Sequence, residues 1–175
     1  MLVASIVLAA SSLAGQPDAR PDFPLQKAAA ENPMHTAIRS LVGRWESDDN
    51  DGDGKPEVVC EYRTTAGGSA VVETLFPGQP EEMVTIYHLD GDSIGVTHYC
   101  MMGNQPYLKS IDGSTAKRIS FECAGGPNVD RSGGDYMGSL VLEIGDDGKS
   151  LTQHWGHFTK GAKAGEMAFE LHRTK

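Results

Sequence analysis

The sequence predicts an all-β fold, a single closed antiparallel up-and-down β-barrel of roughly ten strands behind one short N-terminal helix, and three observations predict it. From Arg44 onward, short runs rich in Val, Ile, Thr and Tyr recur at close spacing. Between them stand Ala66-Gly67-Gly68, Asp90-Gly91-Asp92, Asp112-Gly113-Ser114 and Gly145-Asp146-Asp147-Gly148, whose residues tolerate the positive φ of tight turns. No strong second helical segment follows the first. An all-β domain of this size must hide its sheet edges, and closure hides them completely.

The helix begins at Glu31-Asn32-Pro33, with Asn32 as N-cap and Pro33 at the first helical position. Met34, Ile38 and Leu41 follow at helical spacing, and Gly43 stops it. Strands are expected near Gly43–Ser47, Glu57–Thr64, Ser69–Phe76, Glu82–Leu89 and Ser93–Met101, then near Gln105–Ile111, Lys117–Cys123, Gly138–Ile144, Leu151–Thr159 and Glu166–Arg173. Ala124–Gly134 is the longest Gly-rich loop. No solenoid repeat is present.

At 175 residues the chain suits one domain. Its segments are a leader over 1–15, a flexible tail over 16–32 and a barrel domain over 33–175. The first fifteen residues read MLVASIVLAASSLAG, an apolar run closed by small residues and too short to span a bilayer. This is the pattern of a secretory signal peptide and implies a periplasmic or secreted protein with no membrane insertion after cleavage. The net charge of -9, without a basic run, argues against nucleic acid as a partner. Three cysteines, Cys60, Cys100 and Cys123, allow one disulfide and one free thiol or three buried thiols, and none has CxxC spacing.

Leu41-Val42-Gly43-Arg44-Trp45 resembles the first strand of calycins, the superfamily of lipocalins, fatty-acid-binding proteins and nitrobindins. The resemblance covers the chain from about Pro33. It implies that Trp45 plugs one barrel end and that the barrel encloses a cavity, and ten strands favour the fatty-acid-binding or nitrobindin shape over the eight-stranded lipocalin one. The stretch from Met83 to Pro106 also resembles a group of small exported bacterial proteins of unknown function.

The sharpest motif is Asp49-Asn50-Asp51-Gly52-Asp53-Gly54-Lys55-Pro56-Glu57. Alternating oxygen donors with a glycine at the sixth place let a short loop wrap a hard cation. Asp49, Asp51 and Asp53 would give carboxylates, Lys55 its carbonyl and Glu57 the closing acid. The segment resembles the calcium loops of integrin-type repeats and the first half of an EF-hand. It departs from a full EF-hand because Cys60 holds the twelfth place and no second helix follows. The alternative is a soluble acidic hairpin tip.

Alternate residues of a strand share a face, so Ile94, Val96, His98 and Cys100 point inward together, with Met102 next. Imidazole, thiol and thioether donors suit copper or haem iron. The plainer reading is a satisfied core histidine and a buried thiol. Gln153, Trp155 and His157 share a face with Leu151, while His154 and His172 face outward. An outward His172 removes the C-terminal ligand that a nitrobindin haem would need. Glu61, Glu73 and Glu122 read as solvent-facing, and an inward acid able to pair with His98 is not identifiable. Gly103-Asn104-Gln105-Pro106 is a turn whose amides either reach a ligand at the rim or simply build the turn.

No Gly-x-Ser-x-Gly, Walker or His-Glu-x-x-His motif is present. The expected function is an exported barrel that binds a small, mostly apolar ligand, lined by Tyr62, His98, Cys100, Trp155 and His157 and carrying a structural calcium loop. The alternatives are a haem- or copper-binding protein using His98 and Cys100, and an isomerase or hydrolase with His98 as general base. An enzyme is the less favoured reading.

Overall fold

The computed structural model describes residues 23–48 and 57–174. The segment expected to be a leader, 1–15, lies outside the described residues, as do 49–56, so that of the expected calcium ligands only Glu57 is described.

Two helices precede the barrel, α1 (Pro24–Glu31) and α2 (Pro33–Ser40), where the sequence predicts one. The cap of α2 is as expected: the Asn32 side chain accepts the N–H of His35 at 3.0 Å, which satisfies a backbone donor that the helix start leaves open. Helix α1 has no side-chain cap and buries only Ala29, leaving Leu25 exposed. It therefore carries no apolar stripe to announce it.

Ten strands follow, β1 (Gly43–Ser47), β2 (Glu57–Thr65), β3 (Ala70–Leu75), β4 (Met83–Asp90) and β5 (Ser93–Tyr99), then β6 (Tyr107–Ser110), β7 (Arg118–Gly125), β8 (Asp135–Ile144), β9 (Ser150–Thr159) and β10 (Ala162–Arg173). Each pairs antiparallel with its sequence neighbours, and β1 pairs with β10 to close the barrel. Among the described residues no helix is long and apolar enough to cross a membrane. All three cysteines are free thiols.

Register sorts the interior into layers. Toward the helical end, Val71, Tyr87, Val96 and Leu108 lie side by side across β3 to β6, and all are buried with Ile38 of α2 and its C-cap Leu41 in one apolar core. The next row reads Tyr62, Glu73, Thr85 and His98 across β2 to β5, each paired with the next. Beyond it stand Cys60, Leu75 and Met83, with Cys100 following on β5. A polar row thus separates the packed end from the far end.

Trp45 secures the packed end. It is fully buried, its indole N–H donates to the Leu41 carbonyl at 2.7 Å, and the Arg173 guanidinium covers its ring at 4.5 Å from the centroid. Arg173 also donates to the carbonyls of Val42 (2.6 Å), Ser40 (2.7 Å) and Gly148 (3.2 Å), so one residue of β10 ties the α2–β1 junction to the β8–β9 turn. Gly43 has φ +129°, and a Cβ there would sit 2.9 Å from the Arg173 guanidinium, so conformation and space both call for glycine.

Removing this clamp leaves three carbonyls and an indole face without their partner. Arg173→Ala is expected to cost about 2–3 kcal/mol, read as a lower urea midpoint. Arg173→Lys should recover little of it, because a single ammonium cannot reproduce the planar fork. A fully stable lysine variant would contradict this account.

Candidate functional site

The barrel end beyond the polar row is not filled. A cavity of about 400 Å³ lies between the ends of β3 and β5, the starts of β4, β8 and β10, and the second half of β9. This is within the usual range for small-molecule pockets. Its wall is mostly apolar and rich in sulfur. Five of the seven methionines line it, Met83, Met101, Met102, Met137 and Met167, together with Cys100. Met101 and Met167 are well exposed and mark the mouth. Unbranched thioethers adapt to irregular shapes, so the wall can yield to an occupant. Glu81 and Glu166 are the acids of the lining, and no lysine or arginine belongs to it among the described residues.

The sequence-predicted lining residues divide. His98, Cys100, Trp155 and His157 line the cavity. Tyr62 does not: it is buried and joins the polar network beneath. His157 sits at the rim, its Nε2 3.3 Å from the Asp135 carboxylate. His154 faces outward beside Glu143 and Glu166, and His172 faces Glu46 and Asp48. The 103–106 turn is tied to the protein itself. Asn104 donates to the Asp135 carbonyl at 2.7 Å, and the Gln105 side chain donates to Gly103 and accepts from Asn128.

Glu73 corrects the sequence reading. Predicted to face solvent, it is fully buried, because it shares its face of β3 with Val71 and Leu75 rather than with Thr74. Its carboxylate accepts from Tyr62 Oη at 2.7 Å, Tyr87 Oη at 2.7 Å and Gln153 Nε2 at 2.5 Å, and the Thr85 hydroxyl, directly across on β4, weakly favours the charged form. Burial pushes its pKa up and these donors pull it back. The two tyrosines are held far above their ordinary range by burial and by the Glu73 charge, so both remain protonated donors.

Gln153 extends the network to the cavity wall. Indole N–H can only donate, and Trp155 Nε1 lies 3.1 Å from Gln153 Oε1. The amide orientation is therefore fixed, with its NH₂ turned to Glu73 and, at 2.6 Å, to Tyr62 Oη. Trp155 in turn packs on His98, ring centroids 4.6 Å apart.

His98 is the polar group at the cavity floor. Its Nδ1 lies 3.0 Å from Thr85 Oγ1. Its Nε2 has no hydrogen-bond partner among the described residues, and the ring lines the cavity. Burial lowers its pKa to about 4, so the ring is neutral at physiological pH. That makes it a hydrogen-bonding or ligating group and a weak base, well below the pKa near operating pH that general-base catalysis prefers. The Cys100 thiol is likewise held protonated, its pKa raised by burial. Compared with known proteins, the chain matches no family model and no curated protein.

The buried imidazole makes stability pH-dependent. Unfolded, it takes a proton near 6.5; folded, only near 4. Its contribution is complete above the upper value and is lost as pH falls through the lower, on the order of 3 kcal/mol in all. Urea midpoints of the wild type should therefore fall more steeply across this acid range than those of His98→Phe. Parallel profiles would show that His98 protonates freely in the folded barrel.

Proposed function

We propose that this protein is a calycin-type binding barrel that holds a small, mostly apolar ligand in the cavity beyond the polar row. The observation that carries the reading is the cavity itself: about 400 Å³, walled by methionines, Leu75, Phe169 and Trp155, with His98 at its floor, whose Nε2 has no partner among the described residues. A mostly apolar concavity with few placed polar groups is the usual form of a ligand site. The ten-stranded closed barrel and the buried Trp45 beneath its arginine are compatible with calycin architecture. Export through the 1–15 segment and a calcium ion on the loop from Asp49 to Glu57 belong to the same proposal, supported by sequence pattern. Ser47 and Glu57, which flank that loop, pair at the cavity end of the barrel, so a cation there would stiffen the rim.

A second reading has its own observation. His98, Cys100 and five thioethers surround one space, a donor set that suits copper(I). Among the described residues no three His, Cys, Asp or Glu side chains converge, so such a site would draw on methionine. Copper(I) suits these donors better than haem. Haem carboxylates would meet Glu81 and Glu166 at the rim, with no described lysine or arginine to pair them.

Titration with N-phenylnaphthylamine, a neutral apolar fluorophore, separates these readings. One probe per chain is expected to bind with enhanced emission. Met137→Trp, which fills the cavity from β8, should weaken binding about tenfold or more while the protein still melts cooperatively. Unchanged binding in that variant would remove the cavity as the site. Copper(I) taken up one per chain, displacing the probe and lost in His98→Phe, would give the function to the metal.

A further inference from the structure

We propose that the cavity selects a neutral ligand with an apolar body and one hydrogen-bond donor, a hydroxyl or an N–H, which it presents to Nε2 of His98. This rests on the binding reading above and specifies what that site accepts.

The inference follows the direction in which the buried protons point. Trp155 can only donate, so Gln153 Oε1 accepts and its NH₂ turns to Glu73. Tyr62 receives one of those amide protons at its oxygen and gives its own to Glu73; Tyr87 also gives to Glu73. Every link runs toward the carboxylate, the one group of the cluster that can only accept when ionised.

Thr85 stands directly across from Glu73 on β4, and His98 directly across from Thr85 on β5. A hydroxyl has a single proton. Turned toward the carboxylate across the strand pair, it favours the charged form of Glu73; turned toward His98, it leaves its oxygen lone pairs toward Glu73. The first arrangement wins in a low-dielectric interior, where charge-assisted contacts are the strong ones. Thr85 Oγ1 then accepts from His98 Nδ1–H across their 3.0 Å contact. A neutral imidazole with its proton on Nδ1 carries a lone pair on Nε2, and that lone pair is what the cavity offers.

An acceptor at the floor sorts ligands by chemistry. A donor completes a hydrogen bond that Nε2 makes with none of the described residues. An ether or ester oxygen sets one lone pair against another. A carboxylate does the same and adds charge, in a chamber with Glu81 and Glu166 at its rim, no described lysine or arginine in its lining, and a chain of net charge -9. The ligand class is therefore set apart from fatty acids.

The test displaces bound N-phenylnaphthylamine with decanol, decyl methyl ether and decanoate, the probe's own affinity being measured for each variant. Decanol is expected to compete about tenfold better than the ether, and decanoate worst. His98→Phe should bring decanol and the ether together by weakening decanol alone. Thr85→Val, a nearly isosteric change that keeps His98, should also narrow the difference, because the ring loses the partner that holds its proton on Nδ1. Equal wild-type competition by decanol and the ether, or a preference for the ether or for decanoate, would overturn the inference while leaving a binding barrel. Failure of the probe and of all three compounds to bind would overturn the binding reading itself.

Discussion

The carboxylate of Glu73 is the constraint around which this barrel is organised. A carboxylate taken out of water costs several kcal/mol unless donors replace its hydration, and here they come from three other strands. Tyr62 on β2, Tyr87 on β4 and Gln153 on β9 all give protons to it. Because each partner sits on a different strand, satisfying one side chain fixes the relative register of distant parts of the barrel. A one-residue slip of β3 would send Glu73 outward and leave two buried hydroxyls and an amide without their acceptor.

That constraint also divides the interior by function. On the helical side the space is filled by Ile38, Leu41, Trp45 and the inward aliphatic residues, and Arg173 locks the closing strands over Trp45. On the other side the wall is rich in long thioethers, and space remains. The network reaches that space at Trp155 through Gln153, and Thr85, directly across from Glu73, holds His98. In the inferred proton arrangement, the orientation of His98 at the cavity floor follows from a charge buried in its own row, a direct route from packing to recognition.

Much of this is legible in the sequence, and the failures have physical reasons. All ten strands could be placed, because Val, Ile, Thr and Tyr runs alternate with turn residues whose conformational demands are local. Period-two counting put His98 with Ile94 and Val96, and Trp155 with Leu151, on the inner face, where they are. The same counting applied to β3 places Glu73 with Val71 and Leu75, yet an acid in a strand reads as solvent-facing by composition. Its burial depends on donors from β2, β4 and β9, and no local pattern reports them. The inward positions of Tyr62, Tyr87 and Gln153 were the available signal: three polar side chains on core faces need a common partner. Tyr62, expected in the ligand lining, has Glu73 as its partner instead. Helix α1 escaped detection because only Ala29 of its eight residues is buried.

The central claim is that the Glu73 network holds the His98 proton on Nδ1 and leaves a lone pair facing the cavity. Long-range proton–nitrogen correlation NMR of the ¹⁵N-labelled imidazoles reads this directly, with His98 assigned by its absence from His98→Phe. The account predicts a protonated Nδ1 and an unprotonated Nε2 in the ligand-free protein at neutral pH, opposite to the tautomer that a free histidine side chain favours in water. A His98 with its proton on Nε2 would contradict it.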